Sequence, residues 1–290
     1  MDNLKPLVSF IICIQKEERL QRCLDNIKKQ NYPQDRIEPV VILDDRLPEG
    51  YGNKKWDGCR RAKGEYIAIV DDDNVVVGTE WLNQMLEPML QDSSIIGSHS
   101  RILVDKNDSL INRYIALNGT DPVFAYRSIN GNKYIYEHVY TMSKHNMLIT
   151  GGNAFIYRKS ALDSIGGYTS DCDNIFSFAE KGICKIVVPK NALTHHLAAT
   201  SISSFLTKKC KWSRRPSSKK WKWIEPRLFW EIFLNLTIIA NIFKAVHHYY
   251  RDGKEPAWSL HPILAFLTTV IYGFNFIKSK CKSKCKSKDI

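Results

Sequence analysis

The sequence predicts an α/β fold with a doubly wound, mostly parallel sheet, followed by hydrophobic helices towards the C-terminal end. Three observations predict it. Up to residue 73, short apolar runs alternate with segments of helical periodicity, as in parallel strands joined by crossover helices. Acidic residues directly follow the second and third of these runs. Past residue 227 the chain becomes strongly apolar, which is typical of membrane-associated helices.

The first two strands are predicted from their composition. Residues 8–14 form a nearly continuous apolar run, as expected of a strand buried on both faces. A helix over 17–29 follows, because its apolar residues recur at helical spacing. The second strand, 40–43, leads directly into Asp44 and Asp45.

The third strand ends in three consecutive carboxylates. A helix over 56–62 precedes this strand, 65–70, which leads into Asp71, Asp72 and Asp73. Ligands of parallel α/β sheets bind at the carboxyl ends of the strands, and both acidic clusters fall there. Adjacent carboxylates repel each other unless a cation offsets their charge. Because Mg²⁺ and Mn²⁺ prefer oxygen ligands and complete their shells with phosphates, the cluster predicts a metal-diphosphate site.

Shorter elements are predicted in the next part of the chain. The pattern indicates helices over 81–90 and 174–181, and strands over 154–157 and 183–188. Residues 98–149 have a mixed pattern from which no order of elements is predicted.

Much of the formal net charge of +12 lies late in the chain, in residues 208–227 and 278–290. Each basic cluster borders an apolar run, so we interpret the charge as membrane-directed and expect no nucleic-acid partner. The alternative is a basic nucleic-acid-binding protein, but the sequence contains no groove-reading motif.

The eight cysteines form no C-x-x-C pair, which argues against a structural zinc site and fits a reducing compartment.

The apolar residues 228–278 predict a membrane helical hairpin. The stretch 258–277 contains no Asp, Glu, Lys or Arg and is about as long as one bilayer crossing, whereas 228–243 is interrupted by polar residues. Basic flanks on both outer sides predict that both ends are cytoplasmic. The alternative is a pair of amphipathic helices lying on the membrane surface.

Cys281 and Cys285 lie in the basic tail and are candidates for lipidation. A basic tail also binds an anionic leaflet without a lipid modification.

The predicted domains are therefore a catalytic domain over 1–207, a basic interfacial segment over 208–227, the hairpin over 228–278 and a Lys-rich cytoplasmic tail over 279–290. The N-terminus has no signal-peptide pattern. We expect a protein of the cell membrane or an endomembrane with a cytoplasmic catalytic domain.

Several short motifs follow one another in a fixed order. They are Gln30-x-Tyr32-Pro33, Asp44-Asp45, Ala62-x-Gly64-Glu65-Tyr66, Asp71-x-Asp73, Gly151-Gly152-Asn153, Gly166-Gly167-Tyr168, Asp171-x-Asp173 and His195-His196. Over residues 7–215 this series resembles the family 2 glycosyltransferases. The resemblance implies the GT-A fold, which is the fold of nucleotide-diphospho-sugar transferases. It also implies an inverting, hexosyltransferase-type enzyme that moves a sugar from a nucleotide-diphosphate-sugar to an acceptor hydroxyl.

The resemblance implies roles for the carboxylates. Asp44 or Asp45 recognises the base or ribose, Asp71 faces the nucleotide, and Asp73 ligates Mn²⁺ or Mg²⁺. Asp171 matches the general base, which takes the proton of the acceptor hydroxyl. The glutamate that usually precedes this base is replaced by Ser170, so that Asp173 stays open as the base.

Other positions have both a functional and a structural interpretation. His195 is a candidate metal ligand or phosphate contact, or a structural histidine. Lys54 and Lys55 approach the diphosphate or are solvated. Gly152 and Asn153 are expected in an acceptor-side loop near the donor sugar, although glycines also serve ordinary turns.

The segment Lys208-x-x-Lys211-Trp212 stands where processive members of the family carry Gln-x-x-Arg-Trp, which favours a single transfer over polymer synthesis. Trp212 lies near the acceptor or at a membrane interface. Membrane attachment favours a lipid-linked or surface-glycan acceptor.

Two further functions fit parts of the pattern. Residues 67–75 also match the D-x-D strand of haloacid-dehalogenase-type phosphatases, whose first aspartate is a nucleophile, but that family places the motif on its first strand. The loss of the usual glutamate would also permit a membrane-tethered nucleotide-sugar-binding protein without catalysis.

Overall fold

The computed structural model describes residues 5–14, 17–43, 51–118, 121–125, 139–143, 154–213 and 226–286. The chain divides into two compact units. The first unit comprises residues 1–103 and 127–197, and the second comprises 104–126 and 198–290. Residues 104–126 thus group with the C-terminal helices, while the domain boundaries given above stay a prediction.

The strands in the described residues all lie in the first unit. They are β1 (Val8–Ile14), β2 (Ile37–Leu43), β3 (Tyr66–Asp71), β4 (Asn74–Val76), β5 (Gly97–His99), β6 (Arg101–Ile102), β7 (Val139–Thr141), β8 (Phe155–Arg158), β9 (Lys185–Val187) and β10 (Leu193–His196). Seven of them form one sheet in the order β2-β1-β3-β8-β5-β9-β7, and the others form a smaller sheet in the order β4-β10-β6.

The helices are shared between the units. They are α1 (Leu20–Lys28), α2 (Tyr51–Arg61), α3 (Trp81–Gln91), α4 (Leu110–Leu117), α5 (Lys159–Ser164), α6 (Asp171–Glu180), α7 (Ile202–Ser213), α8 (Pro226–Leu236), α9 (Ile238–Arg251) and α10 (His261–Lys286). The first unit contains α1, α2, α3, α5 and α6, and the second contains α4 and α7 to α10.

Strand β1 lies at the centre of the predicted parallel region. All seven of its residues are buried, which explains why the run is almost entirely apolar. It pairs in parallel with β2 on one side and β3 on the other. The predicted order of strands and helices up to residue 71 is therefore confirmed.

The rest of the large sheet is mixed. Strand β8 is antiparallel to both β3 and β5, whereas β5 and β9 are parallel. The stretch 98–149, for which no order was predicted, contributes β5, β6, α4 and β7. These strands have two or three residues each, too few for a period of two to be recognised in the sequence.

The small sheet places β10 next to the residues that follow β3. A two-residue turn separates β3 from β4, and β10 runs antiparallel along β4, with His196 opposite Asn74. Residues late in the sequence are thereby brought next to the triple aspartate.

The second unit differs from the predicted hairpin. The first hydrophobic segment is not one helix, because α8 and α9 are bent by 100° at Thr237, whose backbone is extended. The side-chain amide of Asn241 donates to the carbonyl of Asn235 at 2.8 Å. A continuous helix would use that carbonyl for its own ladder, so the polar residues that interrupt the apolar run coincide with the break.

One helical segment among the described residues, Pro256–Lys278, is long and apolar enough to cross a bilayer, with a mean hydropathy of 1.5. It consists of the turn before α10 and most of α10 itself. The bent pair α8 and α9 passes the same test only when both helices are taken together. Core helices of soluble proteins also pass it, so this finding alone does not place the chain in a membrane.

Candidate functional site

The carboxyl ends of β1, β2 and β3 meet at one edge of the sheet. Cys13 lies beside Asp71 in the register of β1 and β3, and Ile14 lies beside Leu43 in the register of β1 and β2. Asp71 is thus placed at the ligand-binding edge of the parallel strands. Asp44 and Asp45, which follow Leu43, lie outside the described residues.

Asp71 is held by a buried lysine of α2. The Lys55 ammonium lies 2.7 Å from Oδ1 of Asp71 and donates to Oδ2 at 2.9 Å. The Lys55 side chain is 1% exposed and that of Asp71 is 18% exposed. The same ammonium lies 5.6 Å from the centre of the Tyr168 ring. Lys54 and Lys55 are both predicted to approach the diphosphate or to be solvated, and the pairing of Lys55 with an aspartate is not predicted from the sequence.

A signal for Lys55 does exist in the sequence. Residues 55, 59 and 62 recur at helical spacing, and the last two are the apolar Cys59 and Ala62, which are both buried. Lys55 therefore lies on the inner face of α2. A lysine in that place needs a carboxylate partner, since lysine is almost never fully buried without one.

Asp72 has a structural role on the opposite side of the chain. Its side chain is 3% exposed and lies 3.6 Å from the Arg19 guanidinium, and its carbonyl accepts a hydrogen bond from Arg22 at 2.7 Å. These contacts fasten the end of β3 to the beginning of α1, so that Asp71 and Asp73 are held in fixed positions.

Asp73 faces a histidine from β10. Its Oδ2 lies 3.5 Å from Nε2 of His196, and its carbonyl accepts the backbone N–H of Leu197 at 2.8 Å. His195 pairs with Val75 in the register of β10 and β4. Because successive side chains of a strand point to opposite faces, the two histidines lie on different sides of β10. His196 is thus a further candidate ligand beside Asp73, and the metal role predicted for His195 stays a prediction.

The donor set at Asp73 suits a divalent cation. A carboxylate oxygen and an imidazole nitrogen, 3.5 Å apart, can bind the same ion after a small adjustment. In the described part of the chain, no group of three or more His, Cys, Asp and Glu side chains is placed to hold a metal. The remaining ligands would be waters and substrate phosphates, which is how Mg²⁺ is usually bound in nucleotide sites.

Helix α6 begins with a side-chain cap. The Ser170 hydroxyl accepts the backbone N–H of Asp173 at 3.2 Å, as an N-cap residue does. Asp171 is the first residue of the helix, and its side chain lies outside the described set. Oδ1 of Asp173 is buried and has no hydrogen-bond partner among the described residues. Ser170 therefore supports the helix at the position where the resembling family has a glutamate.

The loop before α6 lies against α2. Gly167 has a φ of +111°, and a Cβ atom there would lie 2.4 Å from the Trp56 ring. The following residue, Tyr168, contacts Lys55. Gly167 is thus needed for a close approach to Trp56, and the chain leading to Asp171 passes next to the Lys55–Asp71 pair.

Three further predicted site residues belong to the second unit or lie outside the described residues. Gly152 and Asn153 lie outside the described residues. Trp212 lies on α7 in the second unit, where the Lys209 ammonium is 5.0 Å from the centre of its ring.

Comparison with known proteins supports the fold. Residues 46–166 match the family model described as Glycosyl transferase family 2, a range that contains Lys55, Asp71 and Asp73. No curated protein sequence matches the chain. A mannosyltransferase from Pyrobaculum calidifontis, solved with GDP-Man and Mn²⁺, has a TM-score of 0.51 at 16% identity over 96% of this chain and 76% of that one. Its likeness confirms the predicted α/β fold of GT-A type.

Two other structures have lower scores. TarS from S. aureus in complex with UDP has a TM-score of 0.46 at 13% identity, over 87% of this chain and 89% of that one. Glucosyl-3-phosphoglycerate synthase from Mycobacterium tuberculosis, with Mn²⁺, UDP-glucose and phosphoglyceric acid, has a TM-score of 0.41 at 15% identity, over 66% and 72%.

Proposed function

We propose that this chain is a glycosyltransferase that moves a sugar, of the hexosyl type, from a nucleotide-diphosphate-sugar to an acceptor hydroxyl with inversion. The observation that carries the proposal is the pairing of Asp73 with His196 at the same strand end as the Lys55–Asp71 pair. The family match over residues 46–166 supports it. The solved mannosyltransferase of similar fold binds GDP-Man and Mn²⁺, which supports a nucleotide-sugar donor and a divalent cofactor here.

The donor would be bound along this edge. Asp44 or Asp45 contacts the base or ribose, Asp71 faces the nucleotide, and Asp73 with His196 holds Mn²⁺ or Mg²⁺. When bound, the metal supplies positive charge against the charge that develops on the departing diphosphate. Lys55 fixes the Asp71 carboxylate and adds a second positive charge nearby, so that the carboxylate is oriented before the donor arrives.

The acceptor would be activated from α6. A carboxylate oxygen of Asp171, or of Asp173 as the alternative, takes the proton of the acceptor hydroxyl. The acceptor oxygen forms a bond to the anomeric carbon while the bond from that carbon to the diphosphate oxygen breaks. Attack from the face opposite the leaving group inverts the anomeric centre. The buried Oδ1 of Asp173, which has no hydrogen-bond partner among the described residues, supports keeping both aspartates in the test.

The acceptor is proposed to be lipid-linked or a surface glycan. The candidate membrane helix and the exposed apolar side chains of α8 and α9 support an acceptor that is already held at the membrane. On this proposal the protein is bound to the cell membrane or an endomembrane, with its catalytic domain on the cytoplasmic side.

The proposed function is tested by a panel of nucleotide-sugars with Mn²⁺, scored by the rise in melting temperature, because a ligand that binds only the folded state stabilises it. We expect one donor to raise the melting temperature with Mn²⁺ and much less with EDTA. The rise should be lost in Asp73→Asn and retained in Asp171→Asn. A panel without any Mn²⁺-dependent rise would overturn the proposal.

A further inference from the structure

The second unit exposes large apolar side chains on two successive helices. They are Phe229, Trp230 and Phe233 on α8, and Ile239, Ile242 and Phe243 on α9, each about half exposed or more. Phe243 is 72% exposed. We call these six residues the apolar face. Large exposed apolar patches mark a surface that binds a partner or a membrane.

The polar residues of the same two helices face each other. Lys244 on α9 forms an ion pair with Glu231 on α8 at 2.8 Å and donates to the side chain of Asn235 at 3.3 Å. Asn241 donates to the Asn235 carbonyl at 2.8 Å, and both asparagines are buried. The inner side of the pair thus contains these polar contacts beside the buried Leu228 and Ala245, while its outer side exposes the apolar face. A helix pair in water exposes its polar side instead.

Neither helix is long enough to cross a bilayer. At 1.5 Å per residue, the 11 residues of α8 span about 16 Å and the 14 residues of α9 span about 21 Å. A hydrocarbon core is about 30 Å thick. The bend of 100° between them makes a wedge that fits within one leaflet.

Helix α10 is long enough to cross, but polar contacts hold one of its faces within the unit. His261 lies 3.0 Å from the Tyr114 hydroxyl, Tyr272 donates to Asp121, and Asn275 donates to Ser213 at 2.6 Å.

The Asp121 carboxylate also pairs with Lys209, whose side chain is 3% exposed. If α10 crossed the bilayer with these contacts intact, this ion pair would lie at membrane depth, where charges are costly. The packing of α10 therefore favours a helix that lies along the membrane surface.

Basic side chains flank the helices. Arg227, at the start of α8, and Lys254 and Lys278 are exposed. Arg251, at the end of α9, is exposed as well, and its guanidinium also pairs with Asp252 at 2.8 Å. An anionic leaflet attracts such residues, whereas a neutral apolar partner offers them no matching charge. The charge thus favours an anionic lipid surface over a second copy of this basic chain.

We infer that the second unit docks on one anionic phospholipid leaflet as a monotopic anchor. The wedge of α8 and α9 inserts its apolar face among the lipids, and no helix between residues 226 and 286 crosses the bilayer. The inference concerns membrane attachment alone. A result that contradicts it leaves the proposed sugar transfer unaffected, and a result that contradicts the sugar transfer leaves the inference unaffected.

The first experiment measures co-sedimentation of the full chain with vesicles. We expect strong binding when phosphatidylglycerol is mixed into phosphatidylcholine, and weaker binding to phosphatidylcholine alone. The variant Ile239→Glu/Phe243→Glu should reduce the bound fraction at least about tenfold, because it removes two large apolar side chains from the lipid contact. The matched control is Leu90→Glu, which alters a side chain 49% exposed in the first unit and should bind as the parent does.

Unchanged vesicle binding by the double variant would overturn the inference. A change from dimer to monomer without a change in vesicle binding would also overturn it, because the apolar face would then be an interface between copies. A melting temperature equal to that of the parent shows that the variant is folded.

The second experiment separates the wedge from a crossing hairpin. Lys254→Cys places a thiol between α9 and α10, and Cys281 and Cys285 report on the tail. A membrane-impermeant maleimide is applied to spheroplasts that express the full chain, before and after permeabilisation. We expect labelling only after permeabilisation.

Labelling of Lys254→Cys in intact spheroplasts under conditions in which the parent chain is not labelled would show that α8 and α9 cross. Labelling of the parent chain that disappears in Cys281→Ser/Cys285→Ser would show that α10 crosses. Either result would overturn the monotopic arrangement.

Discussion

The buried ammonium of Lys55 lies 2.7 Å from Oδ1 of Asp71, so the last carboxylate of β3 is held by a cation from α2. A carboxylate fixed in this way does not need to reorganise when a substrate arrives, which is the general advantage of a preorganised site.

The Lys55–Asp71 pair should contribute strongly to stability. Lys55→Met leaves a largely buried carboxylate without its counter-charge, and we expect the free energy of unfolding to fall by about 3 kcal/mol. Urea unfolding measures it. Lys54→Met, one residue away on a half-buried position, should have a clearly smaller effect. The double variant Lys55→Met/Asp71→Asn should recover part of the loss, and no recovery would show that the lysine acts through other contacts.

Metal binding should depend on Asp73 and His196. We expect Asp73→Asn and His196→Gln each to weaken Mn²⁺ affinity by at least about tenfold in the presence of a nucleoside diphosphate, because each removes or replaces a proposed ligand. The loss of the free Mn²⁺ signal in electron paramagnetic resonance measures binding without an activity assay. His195→Gln is the matched control, since His195 is opposite Val75. Loss of binding in His195→Gln and not in His196→Gln would reverse the assignment.

Substitutions of the two aspartates at the start of α6 should differ in their effect on kcat. Replacing the general base by asparagine should lower kcat by about 10²- to 10⁴-fold, while donor binding, read from thermal stabilisation, stays intact. We expect this result for Asp171→Asn, and a weaker effect for Asp173→Asn. The opposite order would assign the proton transfer to Asp173. Equal activity of both variants and the parent would show that neither residue is the base.

Ser170 should matter for stability and little for chemistry. Because its hydroxyl accepts the N–H of Asp173, Ser170→Ala should cost about 1 kcal/mol in thermal or urea unfolding. Ser170→Asp should retain most of the stability, since aspartate is an equally good N-cap. A stability equal to the parent in Ser170→Ala would mean that the cap contributes nothing.

The parallel half of the fold was predictable because its signals are local. A strand buried on both faces is apolar throughout, so β1 is visible in residues 8–14 alone, and the carboxyl ends of neighbouring parallel strands place Asp71 without any further information. The choice between His195 and His196 could not be made in this way. It depends on the register between β10 and β4, and a shift by one residue exchanges the two faces.

Two other features depend on tertiary contacts. Lys55 lies on the apolar face of α2, but hydropathy alone treats every lysine as exposed. The break at Thr237 coincides with a side-chain hydrogen bond from Asn241 to the Asn235 carbonyl, whereas a hydropathy window counts the same residues only as minor interruptions. In both cases the decisive partner is a specific atom that composition does not identify.

The most direct test of the central claim is release of nucleoside diphosphate from a panel of nucleotide-sugars by the full chain, with Mn²⁺ and with EDTA. The account predicts that at least one nucleotide-sugar is turned over with Mn²⁺, that EDTA abolishes the turnover, and that Asp73→Asn abolishes it while its fold is retained. If EDTA and the Asp73→Asn substitution both leave the turnover unchanged from that of the parent chain with Mn²⁺, the assignment of this strand end as the metal-dependent donor site is contradicted.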